Sequence, residues 1–96
     1  MFVLALEMDL QVGASRSLKD KRQVVRSVLD GARRRFSVAA AEVGGQDTWQ
    51  RAVLGFAAVA SSASHAEEVI DAVERFVWSF PELEVLGTAR RWLDDD

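Results

Sequence analysis

Polar and apolar residues alternate at the start of the chain. Over residues 2–11, every second residue is apolar, whereas Glu7, Asp9 and Gln11 stand on the opposite face. A period of two is typical of a half-buried β-strand. The sequence therefore predicts a first strand whose core face holds Phe2, Leu4, Leu6, Met8 and Leu10.

Two later segments repeat their apolar residues every three or four positions, which indicates helices. Ser17 and Asp20 approximate a capping box and place the first helix start at Leu18. Ser64, with a glutamate three residues on, predicts the second helix start, and Pro81 ends that helix. The predicted core stripes are Leu18, Val25, Leu29, Ala32 and Phe36, and then Ala66, Val69, Ile70, Val73, Val77 and Phe80.

Three more segments have strand character. Residues 37–43 and 49–60 are β-compatible and flank the turn-forming residues 44–47, and residues 84–93 form the last predicted strand. The order strand, helix, strand, strand, helix, strand predicts an α+β ferredoxin-like sandwich with both helices on one face of a four-stranded antiparallel sheet. We expect one domain over residues 1–93 and a disordered acidic tail over residues 94–96.

The third predicted strand is apolar on both of its faces. A strand of this kind usually has cover on both sides. Because the fold places helices on one sheet face only, the sequence predicts a homodimer through the open face.

Charge is distributed unevenly along the chain. The net charge is −3, but residues 16–35 hold eight basic residues against two aspartates, a local balance of +6. An anionic partner responds to this local field and not to the total charge. The lack of cysteine and of a long apolar N-terminal stretch leads us to expect a cytoplasmic protein without membrane contact.

Four of these basic residues define a basic ridge on the first helix: Lys19, Arg22, Arg26 and Arg33. Their spacing of i, i+3, i+7 and i+14 places them on one flank beside the apolar stripe. Such a ridge is suited to contact successive phosphates. The alternative is a solvated face, paired through Arg26 and Asp30 and facing the acidic second helix.

The hairpin after Gly44 supplies a second candidate contact, with Trp49 to stack on a base and Arg51 as a nearby cation. The alternative is a tryptophan that caps the hairpin end of the core. Base stacking on the open sheet face is a weaker hypothesis, since the alternation directs Phe2 and Phe56 towards the core.

Catalytic chemistry has few candidates in this sequence. The chain has no Cys, Tyr or Asn, and its one histidine, His65, stands in the first turn of the second helix, where a structural role is expected. Neither a metal-ligand spacing nor a phosphate-binding glycine loop is present. We expect no enzyme activity and no cofactor.

Three stretches of the sequence carry a family resemblance. Residues 17–25, 41–55 and 65–69 resemble the YlxP-like family of small bacterial proteins, a domain of unknown function. The resemblance implies a ferredoxin-like fold. Genes of this family often lie beside translation-initiation and ribosome-maturation genes, which implies ribosomal RNA or the ribosome as a partner.

Two functional hypotheses follow from the sequence. The first is a noncatalytic RNA-binding or ribosome-associated accessory domain that uses the basic ridge, Trp49 and Arg51. The second is a dimeric regulatory or protein-interaction domain without a nucleic-acid partner.

Overall fold

The computed structural model describes residues 1–13 and 16–93, and the chain there follows the order β-α-β-β-α-β. The predicted ferredoxin-like α+β fold is confirmed. The predicted tail over residues 94–96 lies outside the described residues. The elements are β1 (Phe2–Val12), α1 (Leu18–Phe36), β2 (Ala39–Gly44), β3 (Arg51–Ala60), α2 (Ala63–Trp78) and β4 (Leu83–Trp92).

The four strands form one antiparallel sheet in the order β2-β3-β1-β4. Leu6 of β1 stands opposite Phe56 on one side and Arg90 on the other. The register shifts once in each outer pair, between Glu42 and Gly44 and at Leu10 of β1. Because β2 and β4 stand first and last in the strand order, they are the sheet edges, and each has one side without a strand partner.

The core lies between the helices and one face of the sheet. The even-numbered residues of β1 from Leu4 to Val12 and those of β3 from Ala52 to Ala58 are buried. The predicted alternation of β1 is thus confirmed except at Phe2, which is 44% exposed and meets the ring of Trp92 edge-on at 6.4 Å. The odd-numbered residues form the open face of the sheet.

Helix α1 begins as predicted, because the Ser17 side chain accepts a hydrogen bond from the backbone N–H of Asp20 at 3.2 Å. Its buried face differs from the predicted stripe. Lys21 and Val28 are buried, whereas Leu18 is at the exposed margin. Lys21 and Val28 lie at the centre of the buried face, because α1 packs against both the sheet and α2.

Helix α2 begins earlier than predicted. Ser62 is the N-cap residue, with an extended backbone and a side-chain oxygen that accepts from the N–H of His65 at 3.2 Å. Ser64 was the predicted cap, and this prediction was wrong because Ser64 already lies within the first helical turn. Both serines precede the apolar stripe, so the sequence pattern fits either position.

Two strand starts also differ from prediction. Strand β2 begins at Ala39 because Ser37 adopts a left-handed conformation, with φ of 54°, and ends α1. Strand β3 begins at Arg51, since Trp49 and Gln50 belong to the turn.

The two helices meet at Gly31. A Cβ atom at this position would lie 2.6 Å from the Phe76 ring, so a larger residue would push the helices apart. At 100° per residue, the basic ridge stands about 120–180° around α1 from Gly31. The ridge therefore faces away from α2.

Candidate nucleic-acid interface

Three of the four residues of the basic ridge are exposed and have no partner among the described residues. Lys19, Arg22 and Arg26 are all exposed on α1. Across residues 1–13 and 16–93, none of their side chains forms an ion pair or a hydrogen bond. Three cations on one helix flank thus have no direct ion-pair partner within the described residues.

The acidic side of α2 does not neutralise them. Asp71 and Glu74 instead bind Arg90 of β4, at 2.8 and 3.2 Å. Burial lowers the pKa of Arg90, but the hydrogen bonds with the two carboxylates outweigh this effect and raise the pKa above its usual value. Asp71 and Glu74 are therefore already bound by Arg90.

The expected Arg26–Asp30 pair is also absent from the described contacts. Asp30 binds Arg33 instead, at 3.0 Å between exposed side chains. The alternative interpretation of the ridge is therefore wrong in its Arg26–Asp30 pair and in its contact with α2. Its wider form, a solvated helix face, stays a hypothesis.

Between α1 and the β2 edge runs a groove of about 300 Å³, which we call the ridge groove. Its lining consists of the apolar Val25 and Leu29, the two carboxylates Asp30 and Glu42, and three cations, Arg22, Arg26 and Arg33. Lys19 stands one turn nearer the start of α1. The structure thus brings three predicted ridge residues to one concave surface, with the fourth beside it.

Arg33 differs from the other ridge residues. Besides Asp30, its guanidinium donates a hydrogen bond to the carbonyl of Ala40 on the edge strand β2. A side chain that covers an edge carbonyl protects the sheet against pairing with another chain. Arg33 therefore has an internal role that Lys19, Arg22 and Arg26 lack.

Lys21 ties the start of α1 to the loop that joins β2 to β3. Its Nζ donates hydrogen bonds to the carbonyls of Gly45 and Thr48, at 2.5 and 2.7 Å. The same Nζ forms an ion pair with Glu42 at 2.8 Å, and the lysine is only 1% exposed. We call this set of contacts the Lys21 clamp. The buried ammonium thus has two hydrogen-bond acceptors and one ionic partner, whereas Glu42 Oε2 is buried without a hydrogen bond of its own.

The Lys21 clamp decides where Trp49 lies. Trp49 follows Thr48 directly and is 41% exposed. Because Thr48 is bound to Lys21, the backbone of Trp49 lies close to the first turns of α1. Gly45, with φ of 74°, provides the turn that presents its carbonyl to Lys21.

Arg51 does not belong to the surface of the basic ridge. It lies on the open face of the sheet, where its guanidinium binds both carboxylate oxygens of Asp9 at 2.8 and 2.9 Å. On the same sheet Phe56 is only 2% exposed and faces the helices. The ridge and Arg51 therefore lie on opposite sides of the sheet.

The sequence did contain a signal for Lys21. At helical spacing, Lys21 falls between Val25 and Val28 on the apolar face of α1 rather than on the polar face. A lysine within an apolar stripe needs acceptors nearby. Those acceptors are carbonyls of a loop 24 and 27 residues away, which no local pattern indicates.

Other site types find no support in the part of the chain that the structure describes. Residues 1–13 and 16–93 contain no cluster of three or more side chains suited to hold a metal ion. Neither helix of the described chain has the length and apolar character needed to cross a membrane.

Comparison with known proteins identifies relatives of the chain. The family model described as "Protein of unknown function (DUF503)" matches residues 3–90. The chain is also 43% identical over 76 residues to the "Uncharacterized protein YlxP" of Bacillus subtilis (strain 168), which covers 79% of this chain and 83% of the relative. Together these matches extend over most of the fold described above.

Proposed function

The chain belongs to the DUF503 family of YlxP-like proteins of unknown function, and we propose that it is a noncatalytic domain that binds RNA. The contact surface in this proposal consists of Lys19, Arg22 and Arg26 with the adjoining Trp49 loop. Ribosomal RNA, free or within the ribosome, is the proposed partner, which implies a cytoplasmic protein.

One observation carries the proposal: three exposed cations on one helix flank form no ion pair or side-chain hydrogen bond with the described residues. Exposed ion pairs contribute only about 0–1 kcal/mol each. Fold stability therefore gives little reason to hold three unpaired cations together. A polyanion with regularly spaced phosphates gives such a reason, because each contact releases a condensed counterion.

Shape supports the same proposal. The ridge groove holds Arg22 and Arg26 along one wall, and the Lys21 clamp fixes the Trp49 loop beside the start of the helix. An exposed tryptophan next to a cationic track is suited to stack on an unpaired base. We therefore propose single-stranded RNA as the form that is bound.

Arg33 and Arg51 have smaller parts in this proposal than the sequence alone indicated. Both guanidinium groups already have partners within the chain, Arg33 with Ala40 and Asp30, and Arg51 with Asp9. A phosphate would have to compete with these contacts. Three free cations predict a slope of log affinity against log salt of roughly −2, and four predict roughly −3.

The test measures binding of a labelled oligouridylate by fluorescence anisotropy between about 50 and 200 mM salt. We expect a slope of roughly −2, and loss of binding in the double variant Arg22→Glu plus Arg26→Glu. The matched control is Arg34→Glu plus Arg75→Glu, which changes the net charge equally at exposed positions away from the groove. Equal loss of binding in both double variants would reject the ridge as the contact surface.

Sedimentation with ribosomal subunits tests the partner separately. We expect the native chain to sediment with a subunit at low salt and to be released at high salt, whereas the Arg22→Glu plus Arg26→Glu variant stays at the top of the gradient. If the native chain stays at the top at low salt while oligouridylate binds, the ribosome is the wrong partner and RNA binding stands.

A further inference from the structure

The open face of the sheet contains a trough of about 450 Å³ that the RNA proposal does not use. Its floor is the backbone of the row formed by Ala40, Phe56, Leu6 and Arg90, whose side chains serve the helix side. We call this surface the sheet trough. It lies on the opposite side of the sheet from the ridge groove, so the two surfaces are independent.

The walls of the sheet trough are two parallel rows of open-face residues. Six of the eight residues are alanine or glycine. Val43 of β2 also lines the trough, and its side chain lies over Gly55. The first row is Ala39, Ala57, Ala5 and Arg91, and the second is Ala41, Gly55, Glu7 and Ala89. Only one residue in each row is charged, and the two charges are opposite.

Two diagonal charge pairs on this face behave differently. Arg51 stands two residues along the sheet from Asp9, and the two side chains close into a bidentate ion pair. Arg91 stands in the same diagonal relation to Glu7, opposite Ala5. Within residues 1–13 and 16–93, however, neither Glu7 nor Arg91 forms an ion pair or a side-chain hydrogen bond.

We propose that a second copy of this chain docks on the sheet trough, face to face, so that Arg91 of each copy binds Glu7 of the other. The two-fold axis lies across the strands along the floor row of Leu6 and its neighbours. Each copy then lays its first row on the second row of the other.

The two rows are self-complementary about this axis. At β2 and β3 alanine lies over alanine or glycine, and at β1 Ala5 lies over the partner's Glu7. At the remaining positions, each Arg91 lies over the partner's Ala89 and beside the partner's Glu7. An isologous contact requires this property, because the same patch must fit itself.

The available area is adequate for a reversible dimer. With strands about 4.8 Å apart and about 3.3 Å per residue, the four strands together cover about 600 Å². Specific interfaces bury about 800 Å² per partner. The proposed contact is smaller than the whole face, because the axis row lies near one end of β2 and of β4, and this predicts a dimer whose population depends on protein concentration.

Nucleic acid fits the sheet trough less well than a second copy does. Sheets that bind single-stranded RNA stack bases on aromatic side chains of the open face. The trough walls have none, since Phe56 points to the helix side and is only 2% exposed. The trough holds small residues, one cation and one anion, and a second copy of the same surface matches both its shape and its charges.

The test is charge reversal at the two proposed contact residues, followed by sedimentation equilibrium over a range of protein concentrations. We expect Glu7→Arg and Arg91→Glu each to weaken the dimer at least about tenfold, because like charges then meet twice across the axis. An equimolar mixture of these two variants should form a mixed dimer, since one chain carries two cations and the other two carboxylates. The double variant Glu7→Arg plus Arg91→Glu should also dimerise.

The control is again Arg34→Glu plus Arg75→Glu, which leaves the open face unchanged and should dimerise as the native chain does. A native chain that is monomeric at every concentration up to about 100 μM would overturn the proposal. So would a dimer that both single reversals leave intact, because its interface would then lie elsewhere. Oligouridylate binding to the native chain that the reversal Arg91→Glu abolishes, with no native dimer, would assign the trough to RNA instead.

Discussion

The two helices lie side by side over the same sheet face and use their charges in opposite ways. Asp71 and Glu74 of α2 are engaged by Arg90 of the neighbouring strand. Arg22 and Arg26 of α1 have no such partner in the described chain. The fold itself explains the paired charges, and the charges without a partner among the described residues are the basis of the proposed RNA contact.

The same contrast is found within α1. Lys21 and Arg22 are adjacent in sequence, but Lys21 is 1% exposed and bound by two carbonyls and Glu42, whereas Arg22 is exposed and has no partner among residues 1–13 and 16–93. One helix thus carries a structural cation and a free cation one residue apart. Their orientation around the helix axis makes the difference, since 100° separates adjacent residues.

The largest expected effect concerns this pair. Lys21→Met keeps the apolar stem but leaves Glu42 and two loop carbonyls without their buried cation, which costs about 3 kcal/mol of unfolding free energy. Arg22→Met is the matched control and should change stability by less than about 0.5 kcal/mol. Urea unfolding followed by circular dichroism measures both. Equal stabilities of the two variants would contradict the Lys21 clamp.

A second prediction separates the caps of the two helices. Ser62→Ala removes the oxygen that caps α2 and should cost about 1 kcal/mol, like removal of the Ser17 cap from α1. Ser64→Ala lies inside the first turn and should cost nothing measurable. The same urea experiment distinguishes the two variants. A larger loss of stability for Ser64→Ala than for Ser62→Ala would show that α2 begins after Ser64, as the sequence predicts.

The smallest effect is expected at the paired charges of α2. Arg90→Gln should lower stability by no more than about 1 kcal/mol, because the ion pairs with Asp71 and Glu74 are largely exposed. Arg75→Gln, exposed and on α2 itself, is the control. A raised pKa gives stability that is lost only as the pH rises through the folded value, far above neutrality, so Arg90 adds no pH dependence near neutrality. A loss of several kcal/mol would show that the ion pairs of Arg90 stabilise the fold as strongly as the Lys21 clamp does.

The periodicity of apolar residues predicted the order and type of the helices and strands correctly, but it placed several of their ends wrongly. The alternation of β1 and the stripe of α2 predicted buried residues such as Leu6 and Ile70 correctly. Ends depend on single backbone conformations, as at Ser37, whose left-handed φ ends α1 and delays β2. A side-chain pattern contains little information on such angles.

By itself, the sequence determined the order of elements, the fold class and a flank of four cations on α1, because periodicity and charge are local properties. Only the tertiary structure decided which cations are free. Arg33 and Arg51 are engaged by Ala40 and Asp9, and Lys21 by a distant loop. These contacts join residues far apart in the chain, and their geometry follows from how strands and helices pack. The unpaired state of Arg22 and Arg26 is therefore a property of the fold.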